Sequence, residues 1–107
     1  MGAIDFVGCG MMIFLGLILI VLGIINRKGN ISTIHWYNRR KVSEADRLAY
    51  GKWMGRGTIL CGAGLVVGGT LQYFVPESIW SIPVVAGLAL GLGLMLYAQF
   101  RYNHGLF

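Results

Sequence analysis

The sequence predicts an all-α membrane protein with three transmembrane helices in a single domain, residues 1–107. Three observations support this prediction: 56% of the residues are hydrophobic, only 12% are charged, and the charges leave three long stretches free. So few charges would not cover the surface of a soluble globule of this size. A helix of about 20 residues rises about 30 Å, the thickness of the hydrocarbon core. The predicted spans are residues 6–25, 57–75 and 79–100.

The first span, residues 6–25, is expected to stay in the mature protein. A cleaved signal peptide carries basic residues before its apolar stretch, whereas here Asp5 precedes the stretch and the basic residues follow it. Gly16 and Gly23 are seven residues apart, which places both on one stripe of the helix.

The loop at residues 26–56 carries most of the positive charge. It contains eight of the nine basic residues: Arg27, Lys28, Arg39, Arg40, Lys41, Arg47, Lys52 and Arg56. Because basic residues near span ends stay on the cytoplasmic side, this loop and the C-terminus are predicted to be cytoplasmic and the N-terminus outside. The localisation that follows is the cytoplasmic (plasma) membrane, crossed several times. The aromatic residues fit both headgroup levels, with Trp36, Tyr37, Tyr50, Trp53, Tyr97 and Tyr102 inside and Tyr73 and Trp80 outside.

The loop is further predicted to contain a basic amphipathic helix that lies on the membrane or continues into span two. The spacing of Ser43 and Asp46 is that of a capping box, so the helix is expected to begin near Ser43. Its apolar stripe would consist of Ala45, Leu48, Ala49 and Trp53, with Arg47, Tyr50 and Lys52 pointing away. The glycines at 51, 55 and 57 are interpreted as bend points.

The predicted binding surface is basic and aromatic, and it lies in this loop. It consists of His35, Trp36, Tyr37, Asn38, Arg39, Arg40, Lys41, Arg47, Lys52 and Trp53. One interpretation is an aromatic anchor followed by cations that face anionic lipid headgroups. The alternative is a site for a ligand or a protein partner built on His35, Tyr37 and Asn38.

Spans two and three are expected to form a glycine-rich antiparallel hairpin, because a very short turn joins them. Gly64 and Gly68 form one GxxxG step, and Gly87 and Gly91 form another. Such small residues let membrane helices approach closely, either within the hairpin or in a dimer. Pro83 is expected in the first turn of span three, and the residues at 76–78 are expected to form a turn with Glu77 at a helix start.

At several positions the loop and the following span resemble a bacterial domain-of-unknown-function family of small three-span membrane proteins, mostly from Firmicutes. The resemblance rests on the sequences Ile-His-Trp-Tyr-Asn at 34–38, Lys-Val-Ser-Glu at 41–44 and Tyr-Gly-Lys at 50–52, followed by Gly55. It implies three spans and one basic loop, and it implies no activity. The chain is also similar, more distantly, to membrane immunity proteins that protect bacteria against toxic peptides.

The function expected from these features is that of a non-enzymatic accessory or protective membrane protein. His35 with Glu44 or Asp46 is the only acid-base group conceivable, and no cofactor or metal site is expected. The spans contain no ionisable side chain of the kind that marks coupled transport, although a small oligomeric transporter or channel subunit is the alternative. The expected partners are anionic lipids, a membrane protein or toxin, and further copies of this chain, but not nucleic acid.

The two cysteines are not expected to form an intramolecular disulfide. Cys9 lies near the outer end of span one and Cys61 near the inner end of span two, about 18 Å apart in depth at helical rise. A disulfide requires Cα atoms within about 7 Å of each other.

Overall fold

Three α-helices make up the structure, a computed structural model that describes residues 3–29 and 42–104. They are α1 (Ala3–Arg27), α2 (Arg47–Leu71) and α3 (Glu77–Tyr102), and the described ranges contain no strand. All three helices are long and apolar enough to cross a membrane. The bundle measures 50 × 20 × 19 Å, so it exceeds the about 40–45 Å of a bilayer with its headgroups. The three predicted helices and their membrane-spanning length and composition are confirmed.

The central helix of the bundle is α2, which packs against both α1 and α3. Within the described ranges, α1 and α3 hardly touch each other. Half of the most apolar 18-residue window of α2 is buried, against 17% for α1 and 11% for α3. α2 is also the least hydropathic of the three, as expected for a membrane helix that faces other helices more than lipid.

The end of α1 is closed by a glycine in a left-handed conformation. Gly29 has φ 96°, and its N–H donates to the Asn26 carbonyl at 3.0 Å. Glycine adopts this conformation without a steric penalty, so it commonly ends helices. The Gly29 carbonyl accepts a hydrogen bond from Arg47 Nε at 3.0 Å, which ties the end of α1 to the start of α2.

The helix predicted to begin near Ser43 begins at Arg47 instead. Ser43 Oγ accepts a hydrogen bond from the Asp46 N–H at 3.2 Å, which forms a turn just before the helix. Leu48, in the predicted apolar stripe, is 51% exposed, and Tyr50, predicted to point away from that stripe, is fully buried. The reason is that α2 runs without a break from Arg47 into the bundle, so packing between helices decides which face is buried.

The connection between α2 and α3 is a short turn at residues 72–75, followed by Pro76 at the N-cap of α3. Glu77 lies in the first turn of α3, as predicted. Pro83 does not lie in the first turn but inside the helix, where its missing N–H leaves a backbone carbonyl one turn earlier without its usual donor. The Pro83 carbonyl lies against Gly64, so this segment of α3 is part of the contact with α2.

Candidate functional site

The structure describes three of the ten residues of the predicted loop surface. Residues 35–41 lie outside the described residues, whereas Arg47, Lys52 and Trp53 belong to α2. Arg47 pairs with Glu44 at 3.8 Å, Lys52 is exposed, and Trp53 packs edge-on against Tyr97 of α3 at 5.0 Å between ring centroids.

Lys52 lines a basic cavity between α1 and α2. The cavity has a volume of about 350 Å³ and is lined by Ile24, Arg27, Lys28, Lys52 and Arg56. In the sequence, three of these four cations served only to predict the topology. The four cations form two pairs, Arg27 with Lys28 and Lys52 with Arg56, one near each end of the loop. This pairing is the sequence signal that could have indicated the cavity.

Two of the four cations are positioned by their neighbours. Gly55 leaves room for the Arg27 side chain, since a methyl group at position 55 would lie 2.5 Å from Arg27 Cγ. The guanidinium of Arg56 lies over the Trp53 ring, 5.1 Å from its centroid, in cation–π geometry. Gly55, predicted as a bend point, is thus a packing position in a continuous helix.

Buried polar residues gather at this same end of the bundle. The Tyr50 hydroxyl donates a hydrogen bond to Gln99 Oε1, and Asn103, at the end of α3, is fully buried. A buried cluster forms from Tyr50, Met54 and Ala98. Four partly buried side chains pack against it: Val42, Trp53, Met95 and Tyr102. Sequence reasoning missed the link between Tyr50 and Gln99, although a lone glutamine in an apolar span is a signal for an interhelical hydrogen bond.

At the opposite end of the bundle, the contacts link α1 to the end of α2. Cys9 Sγ donates a hydrogen bond to Gln72 Oε1 at 2.9 Å, and Phe6 packs edge-on against Tyr73 at 6.1 Å between ring centroids. Cys61 lies in the other interface, with its sulfur against Gly91 of α3. Both cysteines are buried free thiols.

The glycines singled out for helix packing lie between α2 and α3. A methyl group at Gly64 would come within 2.6 Å of the Pro83 carbonyl oxygen, and one at Gly87 within 2.7 Å of the Leu60 carbonyl oxygen. Gly68 lies against the Val84 side chain, and Gly91 against the Gly57 carbonyl. At these positions the backbones approach so closely that no side chain fits.

Among residues 3–29 and 42–104 there is no group of three or more His, Cys, Asp or Glu side chains that could hold a metal ion. Every buried side-chain nitrogen or oxygen in these ranges has a hydrogen-bond partner. Four of the described cations, Arg27, Lys28, Lys52 and Arg56, line the cavity between α1 and α2.

A family model matches residues 13–102, the domain of unknown function DUF3784. Because the match spans most of the sequence, the chain belongs to this family. The comparisons found no matching curated protein and no matching solved structure.

Proposed function

We propose that this DUF3784 member is a non-enzymatic accessory or protective protein of the bacterial cytoplasmic membrane. In this proposal it acts by lateral association with a larger membrane protein or a membrane-active toxin. Its N-terminus is outside, while residues 26–56 and the C-terminus are in the cytoplasm. Eight of the nine basic residues lie in that one loop, and this asymmetry supports the orientation.

The observation that carries the proposal is a second face of small residues on α3. Ala86, Ala89 and Gly93 are exposed, and a methyl group at Gly93 would meet nothing within 4 Å. Their spacing of three and four residues places them on one side of the helix. Small residues favour close association of membrane helices. Since Gly87 and Gly91 already face α2, the glycine-rich pair α2 and α3 would act as a scaffold that presents this outer face.

The basic loop has the second role in the proposal, which is to hold the protein at anionic headgroups. Each Lys or Arg close to an anionic surface contributes about 1 kcal/mol of attraction. The predicted loop surface, from His35 to Trp53, would place its cations at the inner leaflet beside the partner. Within the described part, Lys52 and Arg56 are exposed and able to reach that level.

The orientation is tested by cysteine accessibility in intact cells, with Cys9 and Cys61 replaced by Ala. We expect Glu77→Cys to react with a membrane-impermeant maleimide from outside, and His104→Cys to react only after permeabilisation. Both positions are exposed, whereas the neighbouring Asn103 is fully buried and unsuitable for a label. The reverse pattern would refute the orientation.

The lateral association is tested by photocrosslinking in cells. A photoreactive residue at Ala89 is expected to capture another membrane protein, whereas the same residue at the buried Ala98 should give only internal products. Capture of this chain by itself would point to a homo-oligomer. In that case solute flux through proteoliposomes of the purified protein would replace the accessory function with the transporter alternative, and no capture at all would refute the proposal.

A further inference from the structure

We propose that the cavity between α1 and α2 holds the phosphate headgroup of an anionic phospholipid whose acyl chain runs along the outer face of α1. The inference deepens the lipid contact in the proposed function and rests on that proposal only for the membrane placement. It involves neither the outer face of α3 nor a protein partner.

The cavity is complementary in charge to a phosphate. Of the five described residues that line it, four are cationic and none carries a carboxylate. Within residues 3–29 and 42–104, the ion pair at this end joins Arg47 to Glu44, neither of which lines the cavity. The cations Arg27, Lys28, Lys52 and Arg56 would therefore repel each other until an anion enters. Basic pockets between membrane helices at the cytoplasmic side are suited to phospholipid headgroups.

Two of the four cations are also held in place before an anion binds. Arg27 lies across Gly55, and Arg56 lies over the Trp53 ring, which itself packs on Tyr97. Arginine presents a planar set of donors that matches phosphate oxygens. A site with fixed donors loses less side-chain entropy on binding than a flexible basic loop does. This arrangement favours a defined site over a diffuse attraction to the membrane surface.

An apolar groove lies on α1 just before the part of the helix that lines the cavity, and it would distinguish a lipid from a free phosphate. The groove has a volume of about 290 Å³ and is lined only by apolar residues: Phe14, Leu17, Ile18, Val21 and Leu22. Leu17, Val21 and Ile24 are each 42% exposed or more. With Lys28 they are spaced by four, three and four residues, so they share one stripe of α1. From Ile24 back to Phe14 this face rises about 15 Å, which gives an acyl chain a continuous track.

The experiment is native mass spectrometry of the full chain in mild detergent, titrated with phosphatidylglycerol or with phosphatidylcholine of the same acyl chains. We expect the protein to bind phosphatidylglycerol more tightly. Arg56→Gln should weaken that binding about five-fold, the effect of one cation near an anionic group. Arg101→Gln is the matched control, because Arg101 is also exposed and lies over an aromatic ring, Tyr102, at 5.4 Å, but does not line the cavity.

A second variant tests the groove. Val21→Phe fills the groove without changing charge, so it should weaken the binding of phosphatidylglycerol. The ability of inorganic phosphate to compete with that lipid for the basic cavity should stay unchanged. Circular dichroism of each variant checks that the helices are intact. Equal binding of the two lipids, or equal losses in Arg56→Gln and Arg101→Gln, would overturn the proposal. Unchanged lipid binding in Val21→Phe would also overturn it, in favour of a free anion. The purified protein contains no protein partner in this assay. If lipid binding fails, the proposed function is still decided separately by photocrosslinking at Ala89.

Discussion

The two interfaces of α2 use glycine in the same way but on different sides of the helix. Toward α1, Gly62 lies against the Gly16 carbonyl, and Gly55 against the Gly23 carbonyl. Toward α3, Gly57 lies against the Gly91 carbonyl, and Gly64 lies against Gly87. In both interfaces the residue numbers run in opposite directions along the two helices, so both pairs are antiparallel.

The difference lies in the position of these glycines around the helix, and it teaches how one helix serves two neighbours. Gly55, Gly62 and Gly69 recur every seven residues, close to two helical turns, so they stay on the α1 side. Gly57 and Gly64 are each two residues further along, which is about 200° around the helix, on the opposite side. α2 is therefore smooth on two opposite faces, and α1 and α3 dock on either side of it with hardly any contact between them.

Within the α1 interface, the free energy of unfolding should be most sensitive to an added methyl group where that group would meet backbone. A methyl group at Gly62 would lie 2.5 Å from the Gly16 carbonyl oxygen, whereas at Gly69 its nearest neighbour would be an Ile13 side-chain carbon at 2.9 Å. We expect Gly62→Ala to lower the free energy of unfolding by about 3 kcal/mol and Gly69→Ala by about 1 kcal/mol. Unfolding in SDS-containing mixed micelles, followed by circular dichroism, measures both.

Gly93→Ala is the control for these substitutions, because open space surrounds Gly93. It reports the change in helix propensity without any packing cost, and we expect no loss of stability in the monomer. If Gly62→Ala were as stable as Gly93→Ala, the close approach of α1 and α2 at the paired glycines would be wrong.

The same residues explain how much of the fold the sequence could predict. The three helices could be predicted because uncharged stretches of membrane length are a strong signal. The function of Gly55 could not, because a glycine that bends a helix and one that admits a neighbour have the same local sequence. The burial of Tyr50 could not be predicted either. The sequence pattern around Tyr50 gives the angles between side chains around the helix, but the position of α3 decides which of those side chains are buried.

The candidate site was predictable only in its charge. The sequence places eight of the nine basic residues in one loop, and among the described residues of the predicted surface it is Lys52 that lines the cavity. Arg27 and Arg56 are far apart along the chain, so their meeting depends on the antiparallel docking of α1 on α2. The spacing of glycines by seven residues favours that docking, whereas the apolar groove is lined by residues of α1 alone.

The stability of the α3 interface should depend on its polar contact, the hydrogen bond from Tyr50 to Gln99, more than the α1 interface depends on its own polar contact. Tyr50 is fully buried and donates to Gln99 across the two helices. Tyr50→Phe removes the donor with little change in shape, and we expect it to cost about 1 kcal/mol, within the range measured for hydrogen bonds between membrane helices. A double-mutant cycle with Gln99→Leu, in the same unfolding assay, isolates the pair. A coupling energy near zero would mean that the hydrogen bond does not stabilise the docking of α3.

The corresponding polar contact toward α1 should contribute least. Cys9 is buried, and its thiol is a weaker donor than a hydroxyl, so its bond to Gln72 at 2.9 Å is a minor tie between α1 and the end of α2. We expect Cys9→Ala to cost about 0.5 kcal/mol through the lost hydrogen bond, an average value for such bonds in membrane proteins. Cys9→Ser keeps a donor in place and should recover most of that loss in the same assay.

Cys61→Ala is the comparison on the opposite face of α2, where the sulfur packs against Gly91. Serine at position 61 should therefore give no such recovery relative to alanine. If serine recovered stability equally at both positions, the two cysteines would be equivalent polar contacts. The assignment of Cys9 to a specific hydrogen bond and of Cys61 to glycine packing would then be wrong.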